Sequence, residues 1–198
     1  LIYKAMDLGF TSVMFDGSSL PYEKNVELTC KVVKDAQKRG VSVEAELGIM
    51  TTGNDTVKNE ANKQDLYTNP ELALDFITKT KIDALAASFG TAHGIYLKAP
   101  KLDYERLSQI HEKTQVPIVM HGGSGVSEED YRKVIKKGVR KINYYTYMSR
   151  AAGEAIREKL GALEGTAFYH DITSWAIEAM KEDVMRAMRV FYEVKLKQ

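Results

Sequence analysis

The sequence predicts an α/β fold in which parallel strands alternate with helices and the sheet closes into an eight-stranded barrel. Two observations predict this fold. Short apolar or β-branched runs alternate with amphipathic stretches, which is typical of a parallel sheet covered by helices. Polar residues lie at or just beyond the C-terminal ends of five different predicted strands, at the rim where barrel enzymes assemble their sites. A doubly wound open sheet has the same spacing but gathers its ligand groups at one crevice.

Five strand–helix units can be counted along the chain. The strands are predicted at residues 11–15, 41–47, 83–88, 117–120 and 139–144. The helices are predicted at residues 22–39, 69–79, 104–113, 127–137, 149–160 and 171–195, and residues 1–8 read as the end of another helix. Residues 48–65 are polar and rich in Thr, Asn, Gly and Lys, which predicts a long mobile loop.

Length and composition favour one soluble domain that binds a small molecule. The chain has 198 residues, and its 28 basic and 27 acidic side chains leave a net charge of +1. Such a balance gives no field that would hold nucleic acid or an anionic membrane. Cys30 is the only cysteine, which excludes an intramolecular disulfide and favours a reducing, cytoplasmic location. No apolar run approaches the roughly 20 residues of a membrane span.

Two histidines occupy matched positions and are the strongest candidates for metal ligands. His93 and His121 each precede a glycine after a predicted strand. Imidazoles at the ends of neighbouring strands can converge on one ion, and imidazole is a common zinc ligand. The alternative for each is a hydrogen bond to a nearby backbone carbonyl. His111 and His170 lack this setting and are predicted to be surface or capping residues.

Three acidic residues are further candidates near the same rim. Glu44 and Glu46 alternate with apolar residues, so both point to one face of their strand. Carboxylates inside a barrel need partners or a metal, and the alternative is a structural ion pair. Asp16 precedes Gly-Ser-Ser and is either a supporting group or a turn former. The basic residues within 132–141 are predicted to form a solvated helix face.

A glycine-rich loop after the fourth predicted strand is a candidate phosphate site. Gly122-Gly123-Ser124-Gly125 leads toward a helix and can present several backbone N–H groups. The alternative is an ordinary turn. Asn143 and Thr146 follow the next strand, and the loops after the last two strands of a barrel often bind phosphate. The two loops together favour a phosphate site.

These motifs resemble those of the class II, metal-dependent ketose-bisphosphate aldolases, which include fructose- and tagatose-bisphosphate aldolases. The resemblance runs in family order through roughly residues 1–150. It includes residues 9–18, 41–48, 67–71, 90–94 (Gly-Thr-Ala-His-Gly), 121–125 (His-Gly-Gly-Ser-Gly) and 141–143. It implies a (β/α)8 TIM barrel, of which residues 1–198 supply about the last five βα units and the C-terminal helices as a single domain. Residues 48–65 would be its mobile active-site loop.

The resemblance also implies roles for individual residues. His93 and His121 would be two of three histidines that bind zinc or another divalent metal, and Glu46 and Asp16 would lie near an alternative metal site. A monovalent cation is a further candidate cofactor. The implied phosphate- and substrate-binding residues are Gly94, Lys98, Gly122, Gly123, Ser124, Asn143, Tyr144, Tyr145 and Thr146.

The implied reaction is reversible aldol cleavage of a ketose 1,6-bisphosphate to dihydroxyacetone phosphate and an aldehyde, a step of glycolysis. Zinc would act as a Lewis acid, and a carboxylate would handle the proton of the C4 hydroxyl. A homodimer or a larger homo-oligomer is expected. Apolar positions within 175–194 either form a helical interface or cover the barrel.

The sequence departs from the family pattern in three places. The family has an Asp-His pair that supplies the catalytic acid/base aspartate and the third zinc histidine, and this pair is expected upstream of Leu1. We therefore expect residues 1–198 to be the last five-eighths of a zinc aldolase. Leu97 stands where the family usually has a lysine after His-Gly-x-Tyr, and Lys98 comes next. Tyr145 stands where many members have a small or acidic residue that touches the sugar.

Two alternatives to a zinc aldolase stay open. One is a phosphosugar-binding barrel fragment without catalysis, and the other is a metal-free phosphate-binding lyase or isomerase.

Overall fold

Five parallel strands form the central sheet in a computed structural model, which describes residues 1–49, 51–52 and 66–196. The strands described are β1 (Ser12–Phe15), β2 (Ser42–Leu47), β3 (Thr51–Thr52), β4 (Ala84–Ala87), β5 (Ala92–His93), β6 (Ile118–Met120) and β7 (Val139–Ile142). The sheet order is β1-β2-β4-β6-β7, so neighbours in the sheet follow one another along the chain. This is the order of consecutive units in a barrel, and it agrees with the predicted fold class.

The helices lie where the sequence pattern predicts them, with ends that differ by at most three residues. They are α1 (Ile2–Asp7), α2 (Tyr22–Gln37), α3 (Pro70–Thr80), α4 (Tyr104–Thr114), α5 (Glu128–Lys136), α6 (Thr146–Ala162) and α7 (Tyr169–Leu196). Side chains cap three of them, at the first turns of α3, α4 and α5. The Asn69 side chain accepts hydrogen bonds from two amides of the first turn of α3, and the Ser127 hydroxyl accepts one from the amide of Asp130. Each cap satisfies amides that the helix itself leaves unpaired.

The alternation along β2 divides its residues between two faces of the sheet. Val43 and Ala45 are buried in the apolar core, and α2 packs against this strand. Glu44 and Glu46 lie between them in sequence and so face the opposite side. Because both carboxylates are also buried, that side is the polar inner face of the sheet.

A short parallel pair outside the main sheet was not predicted. Strand β3 pairs with β5, with Thr51 opposite Ala92 and Thr52 opposite His93. His93 therefore belongs to β5, and the third main strand of the prediction corresponds to β4, which ends at Ala87. Apart from residues 48–49 and 51–52, the predicted mobile loop at 48–65 lies outside the described residues.

Helix α7 both covers the barrel and exposes apolar side chains. Ala187 and Val190 are buried, and the Phe191 ring meets the Tyr131 ring of α5 edge to face with centroids 4.9 Å apart. Ile177 and Met188 are instead exposed. One face of α7 therefore covers the barrel, while a helical interface on the outer face stays a prediction. Within the described chain, none of the helices has the length and apolar character that crossing a membrane requires.

Candidate functional site

The buried His121 side chain lies between the two glutamates of β2. Its Nε2 is 3.0 Å from Oε1 of Glu44, and its Nδ1 is 3.1 Å from Oε2 of Glu46. All three side chains are almost completely buried. The two-residue period of β2 places both carboxylates on one face, and His121 reaches them because it follows β6 on the same side of the sheet.

Lys141 completes this group of charges, which we name the His121 cluster (Glu44, Glu46, His121 and Lys141). The Lys141 ammonium, on β7, is 2.6 Å from Oε2 of Glu44, and its side chain is half-exposed. The prediction of a solvated helix face at 132–141 is therefore wrong for Lys141, which belongs to a strand and contacts a buried carboxylate. Both glutamates thus have ion-pair partners within the protein.

The contacts within the cluster shift two pKa values in opposite directions. Burial alone lowers the pKa of His121, but hydrogen bonds with Glu44 and then Glu46 outweigh it and raise that pKa to about 9. Burial tends to raise the pKa of Glu44, but His121 and Lys141 hold it below its ordinary value. At neutral pH the cluster therefore contains an imidazolium that donates from both ring nitrogens to carboxylates.

His93 lies beside His121 with its ring exposed. The two ring centroids are 5.8 Å apart, and the ring planes meet at 31°. The sequence prediction that these two histidines converge is consistent with this geometry. Of the other histidines, His170 is exposed but lies inside α7 rather than before it, whereas His111 is half-buried against Gly138 rather than a free surface residue.

The two imidazoles fit a shared metal ion in part. Zinc–nitrogen bonds of about 2.0–2.1 Å place two imidazole centroids roughly 5 to 6 Å apart on one ion, which is the separation observed here. Within residues 1–49 and 66–192, however, no group of three His, Cys, Asp or Glu side chains is arranged to hold a metal. His121 must also release a proton and one carboxylate before it can bind an ion. The described residues thus offer two candidate donors, and a catalytic zinc takes three protein ligands, so that a metal role for His93 and His121 stays a prediction.

Asp16, the remaining candidate for a metal role, caps its own turn. Its Oδ1 accepts hydrogen bonds from the Ser18 amide at 3.0 Å and from the Ser18 hydroxyl at 2.7 Å. This is the turn-forming role that the sequence left open. A metal role for Asp16 stays a prediction.

The glycine-rich loop is held against the loop that follows β7. The Gly123 amide donates to the Asn143 carbonyl at 3.1 Å, and the Tyr145 amide donates to the Ser124 hydroxyl at 3.0 Å. The structure therefore brings together the two loops predicted to bind phosphate. Because the Gly123 N–H is already hydrogen-bonded to Asn143, a phosphate bound here must use other amides of the loop.

The other predicted substrate-binding residues have different environments in the structure. The Tyr144 hydroxyl donates to Oδ2 of Asp183 on α7 at 2.6 Å, whereas the Tyr145 side chain is exposed. Thr146 is the first residue of α6. Gly94, at φ +96°, and the exposed Lys98 lie in the connection that follows β5.

One contact that sequence reasoning missed joins the two histidine loops directly. The Tyr96 hydroxyl accepts a hydrogen bond from the Ala92 amide and donates one to the Gly122 carbonyl, both at 2.8 Å. Ala92 precedes His93, and Gly122 follows His121. Nothing in hydrophobic periodicity indicates such a bridge, because it joins the Tyr96 side chain to the backbone of Gly122, 26 residues further along the chain.

Comparison with known proteins gives one consistent family. A family model described as class-II fructose-bisphosphate aldolase matches residues 1–195. The fructose-bisphosphate aldolase of Staphylococcus epidermidis is 40% identical over 188 residues, which cover 95% of this chain and 65% of that protein. The enzyme of the same name from Geobacillus stearothermophilus is 39% identical over 187 residues, covering 94% of this chain and 64% of that one. The chain thus spans slightly less than two thirds of these relatives.

Solved structures give the same fold. The YdjI aldolase from Escherichia coli K12 superposes with a TM-score of 0.80 at 32% identity, over 96% of this chain and 64% of that one. A putative fructose-1,6-biphosphate aldolase from Coccidioides immitis superposes with a TM-score of 0.76 at 33% identity, over 98% of this chain and 69% of that one. These similarities confirm the predicted fold class, with the chain forming part of a TIM barrel.

Proposed function

Because the chain belongs to the class II fructose-bisphosphate aldolases, we propose that the protein takes part in reversible aldol cleavage of a ketose 1,6-bisphosphate, of the fructose or tagatose type. The products are dihydroxyacetone phosphate and an aldehyde. The observation that carries the proposal is the approach of His93 to His121, with ring centroids 5.8 Å apart, beside a glycine-rich loop. Two imidazoles next to a candidate phosphate cradle suit a metal-dependent reaction of a sugar phosphate.

His93 and His121 are the residues that would hold the metal. Zinc, when bound, supplies a Lewis acid that polarises the substrate ketone. Glu44 and Glu46 support His121 from its two ring nitrogens, at 3.0 and 3.1 Å, and so fix the direction in which the ring faces. If one ring nitrogen held the metal, the carboxylate on the other nitrogen would keep the ring in place.

The glycine-rich loop is the part of the site that would hold the phosphate. We assign the hydroxyl and the amide of Ser124 to this role, together with Gly94, Gly122 and Lys98. Residues 143–146 would line the sugar. Support comes from the bond between the Ser124 hydroxyl and the Tyr145 amide, which fixes the two loops to one another. Because the Gly123 amide is bonded to Asn143, Gly123 serves by close approach of its backbone.

A second candidate function is phosphosugar binding without cleavage. It is favoured by one observation, namely that the described residues supply two candidate metal donors but no group of three. Binding of the phosphate by the loop does not depend on the metal. The two candidates therefore both bind the phosphosugar and differ in turnover.

Two further properties belong to the proposal. A cytoplasmic location is supported by the low cysteine content of these 198 residues, in which Cys30 has no second cysteine to pair with. A homodimer or larger assembly is supported by exposed apolar side chains on α7, such as Ile177 and Met188.

The test combines metal analysis with a cleavage assay on the full-length protein. We expect bound zinc by elemental analysis, and cleavage of fructose or tagatose 1,6-bisphosphate that EDTA abolishes and added zinc restores. His93→Ala should remove both zinc and turnover. His170→Ala, which alters another exposed histidine, on α7, should change neither.

Two results would overturn the proposal. A folded full-length protein with no divalent metal, and with activity unchanged by His93→Ala, would exclude the zinc mechanism. Phosphosugar binding without turnover in zinc-loaded protein would favour the second candidate.

A further inference from the structure

The Tyr96 hydroxyl connects the two backbone segments that carry the histidine pair. It accepts a hydrogen bond from the Ala92 amide and donates its own proton to the Gly122 carbonyl, each at 2.8 Å. Both capacities of the hydroxyl are thus used on backbone groups. Burial raises the pKa of Tyr96 to about 12, so that the phenol keeps its proton throughout the physiological range.

The two segments meet at the point that Tyr96 bridges. A Cβ atom added to Gly122 would lie 2.2 Å from the Ala92 carbonyl oxygen, and Gly122 has φ +63°. The backbone around Gly122 therefore lies directly against the backbone of Ala92. Because His93 follows Ala92 and His121 precedes Gly122, a displacement between these segments changes the relative position of the two imidazoles.

The two histidines differ in how well the rest of the protein holds them. His121 is buried and bonded to Glu44 and Glu46, whereas His93 is exposed and belongs to the two-residue strand β5. A strand of this length fixes its residues weakly on its own. The bond from the Ala92 amide to Tyr96 therefore ties the weakly held histidine to the strongly held one.

We propose that Tyr96 is a positioning residue whose hydroxyl sets the separation of His93 from His121 and thereby the affinity of the pair for a divalent cation. This inference rests on the metal role in the proposed function. Tyr96 itself contacts no metal or substrate in this role. It acts through the backbone next to each imidazole.

Tyr131 provides a matched control because its hydroxyl bonds to the backbone of the same glycine-rich loop. It donates to the carbonyl of Gly123, the residue after Gly122, and its ring is buried in the core. No described bond of its hydroxyl reaches the strand of His93. Tyr131→Phe therefore removes a hydroxyl from the same loop while leaving the bridge between the histidine segments intact.

The experiment measures zinc affinity by competition with a chelator in the full-length protein and in the two Phe variants. We expect Tyr96→Phe to weaken zinc binding by about 10- to 100-fold, the range for loss of a group that orients a ligand. Tyr131→Phe should stay within about threefold of the parent. Cobalt in place of zinc gives a second measurement, since its visible absorption reports ligand geometry. The spectrum should change in Tyr96→Phe and be preserved in Tyr131→Phe.

The outcomes separate this inference from the proposed function. If the parent protein binds no divalent metal, the proposed function fails and this inference fails with it. If the parent binds zinc but Tyr96→Phe binds it equally well, or both Phe variants weaken it alike, the positioning role is wrong while the metal role stands. Should Tyr96→Phe be less stable, the cobalt spectrum of its folded fraction still decides, and an unchanged spectrum contradicts the proposal.

Discussion

Nε2 of His121 lies 3.0 Å from Oε1 of Glu44, although the two residues are 77 positions apart in sequence. The contact joins β2 to the end of β6 across the polar side of the sheet. Because both side chains are almost fully buried, the pair is strongly coupled. The stability of the metal-free protein should therefore depend on the charge of each.

The first prediction is that the metal-free protein loses stability as the pH rises from 6.5 toward 9. The folded-state pKa of His121, about 9, lies above its ordinary value of 6.5. Its contribution is therefore fully present below pH 6.5 and is lost as the pH rises through 9. This difference sets an upper limit of roughly 3 to 4 kcal/mol, at about 1.4 kcal/mol per pKa unit.

The acid side of the same profile follows from Glu44. Its folded-state pKa lies below the ordinary value of 4.5, so its contribution is present above pH 4.5 and is lost as the pH falls through the folded value. Urea unfolding at pH 6, 7.5 and 9 measures the alkaline limb. An unfolding free energy that stays constant from pH 6 to 9, or a slope that persists in His121→Asn, would contradict this assignment.

The second prediction concerns the ion pair between Glu44 and Lys141. Glu44→Gln should destabilise the protein by about 1–3 kcal/mol, below the cost of breaking a fully buried pair, because the Lys141 side chain is half-exposed and can turn to water. It should also reduce the loss of stability between pH 6.5 and 9, since His121 keeps only Glu46. A double-mutant cycle of Glu44→Gln with Lys141→Gln measures the coupling. Additive effects within about 0.5 kcal/mol would mean that the pair contributes nothing.

The common orientation of Glu44 and Glu46 could be predicted because it follows from the two-residue period of one strand. Their partners could not, since His121 and Lys141 come from other strands and depend on sheet order and register. The register shifts at Ile118 and Val119, where β6 pairs with β7, and this irregularity sets the position of Lys141. Residue periodicity within one segment carries no information about such a shift.

The position of His93 and the contacts of Tyr96 could not be predicted from the sequence for a similar reason. Strand β5 has two residues, which is too short for an alternation to be recognised. The bridge from the Tyr96 hydroxyl to two backbone groups depends on how two loops meet in space. The main strands and helices were predictable because each has several residues of consistent pattern.

The third prediction compares two glycine substitutions. Gly122→Ala should destabilise the protein by at least about 1–3 kcal/mol from backbone strain alone, because Gly122 has φ +63° and the new Cβ would also lie 2.2 Å from the Ala92 carbonyl oxygen. Gly153→Ala is the control, since Gly153 lies within α6 with open space around its Cβ position. That change should stabilise the protein by up to about 1 kcal/mol. Thermal unfolding checks both, and a neutral Gly122→Ala would show that the two loops can separate freely.

The fourth prediction is that the two candidate zinc ligands differ in their effect on folding. His93 is exposed, so His93→Ala should change the unfolding free energy of the metal-free protein by no more than about 0.5 kcal/mol. His121→Ala leaves the buried carboxylates of Glu44 and Glu46 without their shared cation and should cost about 3–5 kcal/mol. Urea unfolding in EDTA measures the difference. Equal costs would mean that water or Lys141 compensates both carboxylates, in which case His121 is held for its metal rather than for its charge.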